Sequence, residues 1–336
     1  MQQHVSLRHL NTFGLESRAQ SFVEVKSVEE LTEILTNPDL KDAPKFILGG
    51  GSNILLTQDI DALVLKISIG GIEKIKEDED HIWLHAGAGE KWHDFVMYCV
   101  GHGYAGIENL SLIPGTIGAA PMQNIGAYGV EVKDIVESVE TIFYDSAEAR
   151  IFTKEECNFG YRESIFKHEL KGKCIITGVV FRLNKKPVYH VEYGDIQKTL
   201  QEAGVESLSI KAVSDAVIQI RKSKLPDPAE IGNAGSFFKN PEIPEDQFNK
   251  LKTNYPALPG YPASPGFVKV PAGWLIEQAG WKGFRDGAIG VHARQALVLV
   301  NYGGGSGEEI KLLSQKIQKS IEEKFGIRLS AEVNFI

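Results

Sequence analysis

Three side chains that could donate a proton or stabilise negative charge lie in unusual local contexts. Ser236 lies in Gly232 to Pro241, where Asn-Ala-Gly precedes it and two phenylalanines follow. Arg162 lies in Gly160 to Phe166 between aromatic and acidic residues, and Glu332 lies in a short apolar segment at the end of the chain. A carboxylate among apolar residues is either a paired structural group or a functional one. A plain turn around Ser236 fits equally well, and for Arg162 taken alone a surface ion pair is the favoured interpretation, so these residues alone leave the function open.

The stretch from Ser111 to Gly129 is the segment best suited to holding a ligand. It contains four glycines, two prolines and no charge, yet it is rich in Ile and Ala. Glycine lets the backbone approach another surface closely, and proline fixes φ. A rigid loop of this kind can place backbone N–H groups against a flat or phosphorylated ligand. The alternative is a buried system of tight turns without a ligand.

The first glycine turn along the chain follows a short buried strand. Phe46 to Leu48 leads directly into Gly49-Gly50-Gly51-Ser52-Asn53, which favours an anion-holding turn. The alternative is a simple break at the end of the strand. The turn is not a Walker loop, because Lys-Ser/Thr is missing. It is not a dinucleotide fingerprint either, because the glycine spacing and the following helix are missing.

Composition limits the class of protein. The 336 residues suggest two or three domains, and 43% hydrophobic with 24% charged residues is ordinary for a globular protein. A net charge of −8 argues against a nucleic-acid or anionic-membrane partner. Three cysteines without paired spacing indicate a reducing compartment, and no apolar run suggests a signal or a membrane span, so we expect a cytoplasmic protein. His81 and His85 share a strand face but lack further ligands, so no metal site is predicted.

Hydrophobic periodicity and capping signals predict the elements that position these stretches. Ser27 and Glu30 form a capping-box pattern that opens a helix through Leu35. Further helices are expected at 90–100, 210–224, 274–279 and 308–325, and strands at 21–25, 62–67, 72–76, 81–86, 136–144, 174–183 and 296–300. Residues 255–271 contain five prolines and are expected to form an irregular connection. A shift in composition places a domain boundary between about Lys185 and Ser209.

Several segments, in this order, make the chain resemble one family closely. They are Asn11 to Phe13, Gly49 to Asn53, Ile113 to Gly129, Gly160 to Phe166, Lys224 to Pro228, Gly232 to Pro241, Ala272 to Ile276 and Glu332-Val333. Together they resemble the UDP-N-acetylenolpyruvoylglucosamine reductases, also called UDP-N-acetylmuramate dehydrogenases, over nearly the whole chain. Tyr193-Gly194-Asp195 and the connection at 241–270 resemble the subclass with an additional substrate-covering loop.

This resemblance implies a flavoenzyme of peptidoglycan precursor synthesis. NADPH would reduce a non-covalently bound FAD, which would reduce the enolpyruvyl group of UDP-N-acetylglucosamine enolpyruvate to give UDP-N-acetylmuramate. The partner would be a small nucleotide sugar, with no nucleic acid or membrane, and a monomer is expected. One alternative is an oxidase of the same flavin-binding class that acts on an alcohol or sugar. Another is a nucleotide-sugar sensor without enzymatic activity.

The implied fold is α+β. It joins an FAD-binding fold of the vanillyl-alcohol-oxidase or PCMH type, built of two subdomains, to a C-terminal α/β substrate-binding domain. Residues 1–70, joined by a C-terminal strand at 330–336, would form the first subdomain and 71–208 the second. Residues 209–329 would form the domain that binds the UDP-sugar.

The family's motifs also imply residue roles. Ser236 would be the proton donor, while Arg162 and Glu332 would polarise the substrate carboxylate and stabilise the enolate. A carboxylate beside an enolate repels it, so Glu332 is expected to be protonated or to share a proton. The implied FAD-binding residues are Gly49, Gly50, Gly51, Ser52, Asn53, Pro114, Gly115, Gly118, Ala119, Asn124, Gly126, Ala127 and Tyr128.

The UDP end of the substrate would be held by a third set of residues, namely Tyr193, Lys224, Asn240 and Gln295. Lys224 could meet a diphosphate as a point charge, or it could be a cation favoured at a helix C-terminus, and the two roles are compatible in one residue. The family often has an arginine two residues after the C-terminal glutamate, but this chain has Asn334. The departure leaves the placement of Glu332 open.

Overall fold

A computed structural model describes every residue from Met1 to Ile336. Seven α-helices, α1 to α7 in chain order, span Val28–Thr36, Trp92–Gly101, Ile196–Glu202, Ile210–Lys224, Glu245–Asn254, Ala272–Gln278 and Gly307–Phe325. Short 3-10 helices span Arg8–Leu10, Glu108–Leu110, Ile117–Ala119, Pro121–Gln123, Val132–Asp134 and Ile165–Lys167. None of the helices combines the length and the apolar character that a membrane span requires.

The strands are numbered β1 to β20 in chain order, and many are only two or three residues long. They span Gln2–Ser6, Arg18–Val25, Lys45–Leu48, Ile54–Leu55, Ile60–Ile67, Ile72–Glu77, His81–Gly87, Gly126–Ala127, Val130–Glu131, Val136–Phe143, Ala149–Thr153, Cys174–Asn184, Gly232–Asn233, Glu242–Pro244, Tyr261–Pro262, Phe267–Lys269, Arg285–Asp286, Ile289–Val291, Leu299–Asn301 and Asn334–Phe335. Longer strands lie in the first two thirds of the chain.

The chain divides into two compact units. Unit 1 comprises residues 1–5, 19–50 and 61–223, and unit 2 comprises residues 6–18, 51–60 and 224–336. Each unit buries its own hydrophobic core, so each has its own source of stability. Free energy of folding in both cores comes chiefly from apolar area removed from water.

Unit 1 contains two larger sheets. One has five strands in the order β11-β10-β12-β7-β6, and the rings of Trp92 and Phe95 from α2 lie 5.9 and 4.8 Å from the ring of Phe181 on β12. The other has four strands in the order β1-β2-β5-β3. Its strands β3 and β5 are parallel, with Leu48 opposite Lys66. This register places Lys66 beside the residue at which the first glycine turn begins.

Unit 2 is built from shorter strands. Four of them form a sheet in the order β13-β19-β18-β17, and three form a sheet in the order β14-β16-β15. At the end of the chain β20 pairs in parallel with β4, with Asn334 opposite Ile54. Helix α7 buries the apolar stripe that includes Ile310, Ile317 and Ile321 in the core of this unit.

Several sequence predictions of local structure are confirmed. Ser27 Oγ accepts a hydrogen bond from Glu30 N at 3.1 Å, and α1 begins at the next residue. The long predicted helices at 210–224 and 308–325 correspond to α4 and α7. Their periodicity and capping signals extend over enough residues to define an element without tertiary information.

The prediction that residues 255–271 form an irregular connection is wrong. Tyr261–Pro262 and Phe267–Lys269 are strands, and they form the three-stranded sheet together with Glu242–Pro244. Proline cannot donate to a β-ladder and is therefore confined to edge strands. Here Pro244 and Pro262 lie on the two outer strands, while the central strand contains no proline.

Candidate active site

The turn after β3 is packed against the second glycine-rich segment of unit 1. A Cβ atom added to Gly50 would lie 2.8 Å from Gly115 Cα, and one added to Gly49 would lie 3.0 Å from Thr116 Oγ1. In the same way, a Cβ on Gly118 would lie 2.7 Å from Ala88 Cβ. These glycines are therefore required for the two loops to close on their own surroundings. Their packing agrees with the alternative of a buried system of tight turns. It also holds the backbones of the two loops rigidly.

Backbone strain is concentrated in the glycine-rich stretch. Of seven non-glycine residues with positive φ, six lie between 112 and 162: Leu112, Asn124, Tyr128, Ala147, Asn158 and Arg162. The first three lie in the glycine-rich stretch itself. A left-handed conformation costs of order 1–3 kcal/mol for such residues and tends to occur at functional sites. Three of these residues, Asn124, Tyr128 and Arg162, were implicated by the sequence. The strain is held by hydrogen bonds from neighbouring segments.

Asn124 connects this stretch to the segment that carries Arg162. Its fully buried Nδ2 donates to Gly160 O at 2.9 Å and to Glu131 Oε2 at 3.1 Å, and its Oδ1 accepts from Lys133 N at 3.0 Å. The side chain of Asn124 is thus occupied by the protein itself.

Arg162 lies at the tip of a tight turn in which Gly160 and Glu163 exchange backbone hydrogen bonds of 2.9 and 3.1 Å. The guanidinium Nη2 donates to Gly126 O at 2.7 Å, and Nη1 donates to Asn124 O at 3.3 Å. A Cβ on Gly126 would lie 3.2 Å from Nη1. Two carbonyls of the glycine-rich stretch therefore orient this guanidinium group. This geometry favours the interpretation of Arg162 as a positioned cation over that of a surface ion pair.

Tyr193 and Tyr128 lie in neighbouring loops of unit 1. A Cβ on Gly129 would lie 3.5 Å from Tyr193 Cβ, and one on Gly194 would lie 3.6 Å from the ring of Tyr128. Buried Asn109 joins the loops by donating to Tyr128 O at 3.0 Å and to His190 O at 2.7 Å. The structure thus brings an implied FAD residue and an implied substrate residue together, and Tyr193 is 58% exposed.

Ser236 and Glu332 lie close to one another along two paired backbone segments of unit 2. Glu332 N donates to Phe237 O at 2.8 Å, and Phe238 forms an isolated bridge with Ala331. Ser236 is exposed, whereas Phe237 and Phe238 are buried. Glu332 precedes the terminal strand rather than lying within it, because that strand covers only Asn334–Phe335.

The turn before Ser236 is fixed by Asn233. Its Oδ1 accepts from Gly235 N at 2.9 Å, and its Nδ2 donates to Ile231 O at 2.8 Å. This Asx turn holds Gly235 at a φ of 69°, where other residues would be strained. The Ser236 hydroxyl has no hydrogen-bond partner within unit 2. The sequence suggested a constrained turn here but not the residue that constrains it.

Asn53 joins the first glycine turn to the end of the chain within unit 2. Its Nδ2 donates to Glu332 O at 3.2 Å, and its carbonyl accepts from Asn334 N at 3.1 Å and from Asn334 Nδ2 at 3.0 Å. Asn334, the residue that departs from the family pattern, therefore attaches the chain to Asn53 at a position two residues after Glu332. Gly51 packs nearby, and its φ of 63° and the closeness of Leu10 O leave no room for a side chain.

Two of the implied substrate residues meet at the start of α6. Asn240 Oδ1 accepts from Ala272 N at 2.9 Å, and a Cβ on Gly273 would lie 3.3 Å from Gln295 Oε1. Lys224 is exposed and is the last residue of α4. Lys224 therefore lies at a helix C-terminus, where the macrodipole favours a cation, as the structural alternative for this residue predicts.

Three residues were missed by the sequence analysis: Lys66, Asn109 and Asn233. Lys66 and Asn109 are single polar residues in ordinary segments, and they act through distant backbone partners that only the fold brings near: Lys66 Nζ, for example, donates to Gly49 O at 2.8 Å. No local pattern in the sequence marks these two residues. Asn233 differs, because its partners Gly235 N and Ile231 O are two residues away, and an Asn two residues before a Gly is a local signal for an Asx turn.

Comparison with known proteins identifies two regions of the chain. Residues 227–336 match the family model described as UDP-N-acetylenolpyruvoylglucosamine reductase, C-terminal domain. Residues 19–150 match the model described as FAD binding domain. The second match includes the Gly49–Asn53 turn and the glycine-rich stretch, and the first includes Ser236 and Glu332.

Full-length relatives agree with these matches. The chain is 52% identical to UDP-N-acetylenolpyruvoylglucosamine reductase of Amoebophilus asiaticus, covering 100% of this chain and 99% of the relative. It is 52% identical, with the same coverage, to the protein of that name from Flavobacterium johnsoniae. Among solved structures, the UDP-N-acetylenolpyruvylglucosamine reductase from Thermus caldophilus superimposes with a TM-score of 0.68 at 25% identity, covering 98% of this chain and 97% of that one.

These matches confirm the predicted fold class. The mixed helix and strand content agrees with α+β, the FAD-binding match at 19–150 lies within the region expected to form the two FAD-binding subdomains, and the full-length superposition includes the C-terminal part. The division into three domains at 70 and 208 stays a prediction.

Proposed function

Because the chain belongs to the UDP-N-acetylenolpyruvoylglucosamine reductase family, we propose that it reduces the enolpyruvyl group of UDP-N-acetylglucosamine enolpyruvate to give UDP-N-acetylmuramate. FAD is the cofactor and NADPH the hydride donor in this proposal. The observation that carries it is 52% identity over the full length of a relative with that activity in its name. The FAD-binding match within residues 19–150 supports the cofactor independently.

The residues of the two glycine loops fit a dinucleotide cofactor. Neither Gly49–Asn53 nor Pro114–Tyr128 contains an acidic side chain, so a diphosphate would meet no like charge from these loops. Their backbones are fixed by close packing at Gly50 and Gly118. Rigid backbone segments of this kind can hold phosphate through N–H groups without a helix terminus. FAD would supply the hydride-transfer chemistry when bound.

Three side chains would supply the polar chemistry. Arg162, oriented by two carbonyls, would bind the substrate carboxylate and stabilise the negative charge that develops as the double bond is reduced. Ser236 Oγ would give its proton to the carbon next to that carboxylate. Glu332 would polarise the carboxylate while protonated or while sharing a proton, because an ionised carboxylate would oppose the developing charge.

The nucleotide end would be held by a second group of residues. Lys224 would meet the diphosphate as a point charge, and Asn240 and Gln295, together at the start of α6, would hold polar groups of the UDP moiety. Tyr193 would cover the nucleotide from its exposed loop, as in the subclass with a substrate-covering loop. The FAD subdomains would comprise 1–70 with 330–336 and 71–208, and the UDP-sugar domain 209–329.

The setting of the reaction follows from the same assignment. We expect a monomer that acts in the cytoplasm, where a peptidoglycan precursor would be made. Free thiols at Cys99, Cys157 and Cys174 support a reducing compartment. Burial raises the pKa of the Cys157 thiol to about 12, so this thiol stays protonated and unreactive.

An anaerobic absorbance experiment tests the proposal. One equivalent of NADPH should bleach the flavin band of the purified protein, and UDP-N-acetylglucosamine enolpyruvate should then restore it. UDP-N-acetylglucosamine, which lacks the enolpyruvyl group, is the matched control and should leave the band bleached. A flavin that bleaches but does not respond to the enolpyruvate would favour the oxidase alternative. A protein without flavin would leave only the nucleotide-sugar sensor.

A further inference from the structure

Lys66 lies directly against the first glycine turn. It is on β5 opposite Leu48, the last residue of β3, and its Nζ donates to Gly49 O at 2.8 Å and to Ile67 O at 3.5 Å. The side chain is only partly accessible to water, and burial lowers the pKa of its ammonium group. An ammonium has three donor hydrogens, and here only one makes a strong hydrogen bond.

No carboxylate neutralises this ammonium group. Lys66 forms no ion pair, and the acidic side chain that most affects it, Glu24, is itself engaged by Ser68 Oγ at 2.9 Å and by Lys26 Nζ at 3.5 Å. Taking a cation out of water without an anion is unfavourable. A neutral residue could donate to Gly49 O without this penalty. The charge of Lys66 is therefore left without a neutralising partner from the protein.

Lys45, in the same unit, shows what a purely structural lysine looks like. Its Nζ donates to three backbone carbonyls, Leu40 O at 2.8 Å, Lys41 O at 2.7 Å and Ala43 O at 3.1 Å. Burial lowers the pKa of this ammonium group as well. Its donors are filled by the loop that it closes, so nothing points to a ligand. Lys66 has the same chemistry but lies at the glycine turn and has spare hydrogen-bonding capacity.

We propose that Lys66 binds the diphosphate of FAD, supplying the positive charge at the Gly49–Asn53 turn and fixing the orientation of the Gly49 peptide. The inference rests on the proposed FAD binding. A diphosphate carries two negative charges, and the two glycine loops contain no basic side chain of their own. Lys66 is the lysine that the register of β3 and β5 brings to this turn. It holds the Gly49 carbonyl to one side, which directs the neighbouring N–H groups the other way.

The test compares flavins with and without the diphosphate. Apoprotein is titrated with FAD and with riboflavin, and binding is followed by flavin fluorescence at low and high salt. In Lys66→Gln, which keeps a donor for Gly49 O but removes the charge, the Kd for FAD should rise roughly tenfold to a hundredfold, the scale of a charged hydrogen bond. The Kd for riboflavin should stay unchanged, and the salt dependence of FAD binding should become shallower.

Two further variants complete the test. Lys45→Gln is the matched control and should leave both dissociation constants as in the wild type. Lys66→Arg keeps the charge and should retain the salt dependence of FAD binding. This variant replaces Lys66→Gln in the test if Lys66→Gln fails to fold. Equal weakening of FAD and riboflavin by Lys66→Gln would show that Lys66 only shapes the turn. An unchanged FAD Kd would overturn the inference alone, whereas a wild-type protein that binds no flavin would also overturn the proposed cofactor.

Discussion

Ser236 is presented on a rigid turn rather than within a hydrogen-bonded dyad. The Asx turn of Asn233 fixes the backbone before it, and Phe237 and Phe238 anchor the backbone after it in the core. Its exposed hydroxyl has no partner in unit 2, so the protein itself does not raise its acidity there. Its contribution would be position, which is the larger part of proton transfer to a carbon centre that becomes basic during the reaction.

For Ser236→Ala, we expect flavin reduction by NADPH to proceed at nearly the wild-type rate, while reoxidation by the enolpyruvate substrate is abolished. The first step needs no proton from Ser236, and the second does. Both half-reactions are measured by anaerobic stopped-flow absorbance. Ser264→Ala, which alters an exposed serine of the same unit, is the control and should behave as the wild type. Loss of both half-reactions would exclude the role of proton donor.

For Arg162→Lys, we expect substrate reduction to slow by on the order of a hundredfold, the scale of one oxyanion-stabilising donor. Lysine keeps the charge but cannot donate to Gly126 O and Asn124 O while also presenting a planar fork to a carboxylate. Flavin reduction by NADPH should change little. Arg150→Lys, in an exposed ion pair with Glu156, is the control. Equal rates for Arg162→Lys and wild type would return Arg162 to the surface-ion-pair interpretation.

The residue scale also shows what a sequence pattern can predict. Arg162 and Ser236 became candidates because a glycine and aromatic residues lie next to them, and the family resemblance then implied their roles. Lys66 and Asn109 were not found, because their partners are 17 and 81 residues away and are backbone carbonyls. Every residue has a carbonyl, so nothing in the partner's identity signals the contact before the fold is known.

At the scale of elements, α2 and α4 hold Leu110 and Leu112, which lie at the start of the glycine-rich stretch. Trp92 Nε1 donates to Leu110 O at 2.9 Å, and Leu112 N donates to His93 Nδ1 at 3.0 Å. Arg221 Nε donates to Leu112 O at 3.2 Å. Leu112 has a φ of 59°, a strained value for this residue, so the conformation depends on these contacts.

His93 makes the stability of the contact between α2 and Leu112 depend on pH. Its Nδ1 accepts a hydrogen bond from Leu112 N, so the ring must be neutral. Burial lowers the pKa of His93, and the charges of Arg221 and Lys222 lower it further, although the charge of Asp94 opposes them. Because the folded-state pKa lies below the ordinary 6.5, the folded protein binds fewer protons than the unfolded chain. This contribution to stability is complete above pH 6.5 and is lost as the pH falls through the folded-state value.

We therefore expect His93→Asn to lose less stability than the wild type when the pH is lowered from 7.5 to 5.5. Asparagine Oδ1 can accept from Leu112 N but does not titrate. Urea unfolding of the FAD-bound protein at the two pH values measures the difference. His102→Asn, which replaces an exposed histidine at the other end of α2, is the control and should lose as much as the wild type. Equal losses in His93→Asn and wild type would contradict the expectation.

The loop of Tyr193 is a second element with a predicted effect. Asn109 fixes the backbone beside Tyr128 and His190, and Tyr193 itself remains exposed, so its hydroxyl is available to a ligand. For Tyr193→Phe, we expect the KM for the enolpyruvate substrate to rise more than kcat falls. Tyr189→Phe, whose hydroxyl donates to Leu208 O in the same segment, is the control. Steady-state kinetics with varied substrate decides, and an unchanged KM would show that the loop does not cover the nucleotide.

Element prediction succeeded where a periodic pattern was long and failed where strands were short. Helix α7 has 19 residues with a clear capping box, and its limits differ by one residue from the prediction. The sheet of β14, β15 and β16 uses strands of two or three residues, with prolines at its edges. Pairing partners, rather than local periodicity, define such strands, and partners are a tertiary property.

At the scale of the whole molecule, the chain is distributed discontinuously between its two units. Residues 6–18 and 51–60 belong to unit 2, although unit 1 contains the segments on either side of them. The first glycine turn is divided in the same way, with Gly50 in unit 1 and Gly51 in unit 2. A single boundary drawn from composition at 185–209 could not show this, because the chain passes between the two units at several points along the sequence.

Binding of FAD should therefore leave a local signature rather than a uniform one. At a concentration 100 times the Kd, FAD should add about 2.7 kcal/mol to the free energy of unfolding of the region that binds it. Hydrogen exchange followed by mass spectrometry should then show slower exchange in peptides from 46–53 and 111–129. Peptides from α5 and from the sheet of β14, β15 and β16 should be unaffected, because no implied cofactor residue lies in them. Uniform protection would contradict the expected local signature, and protection confined to α5 would place the cofactor elsewhere.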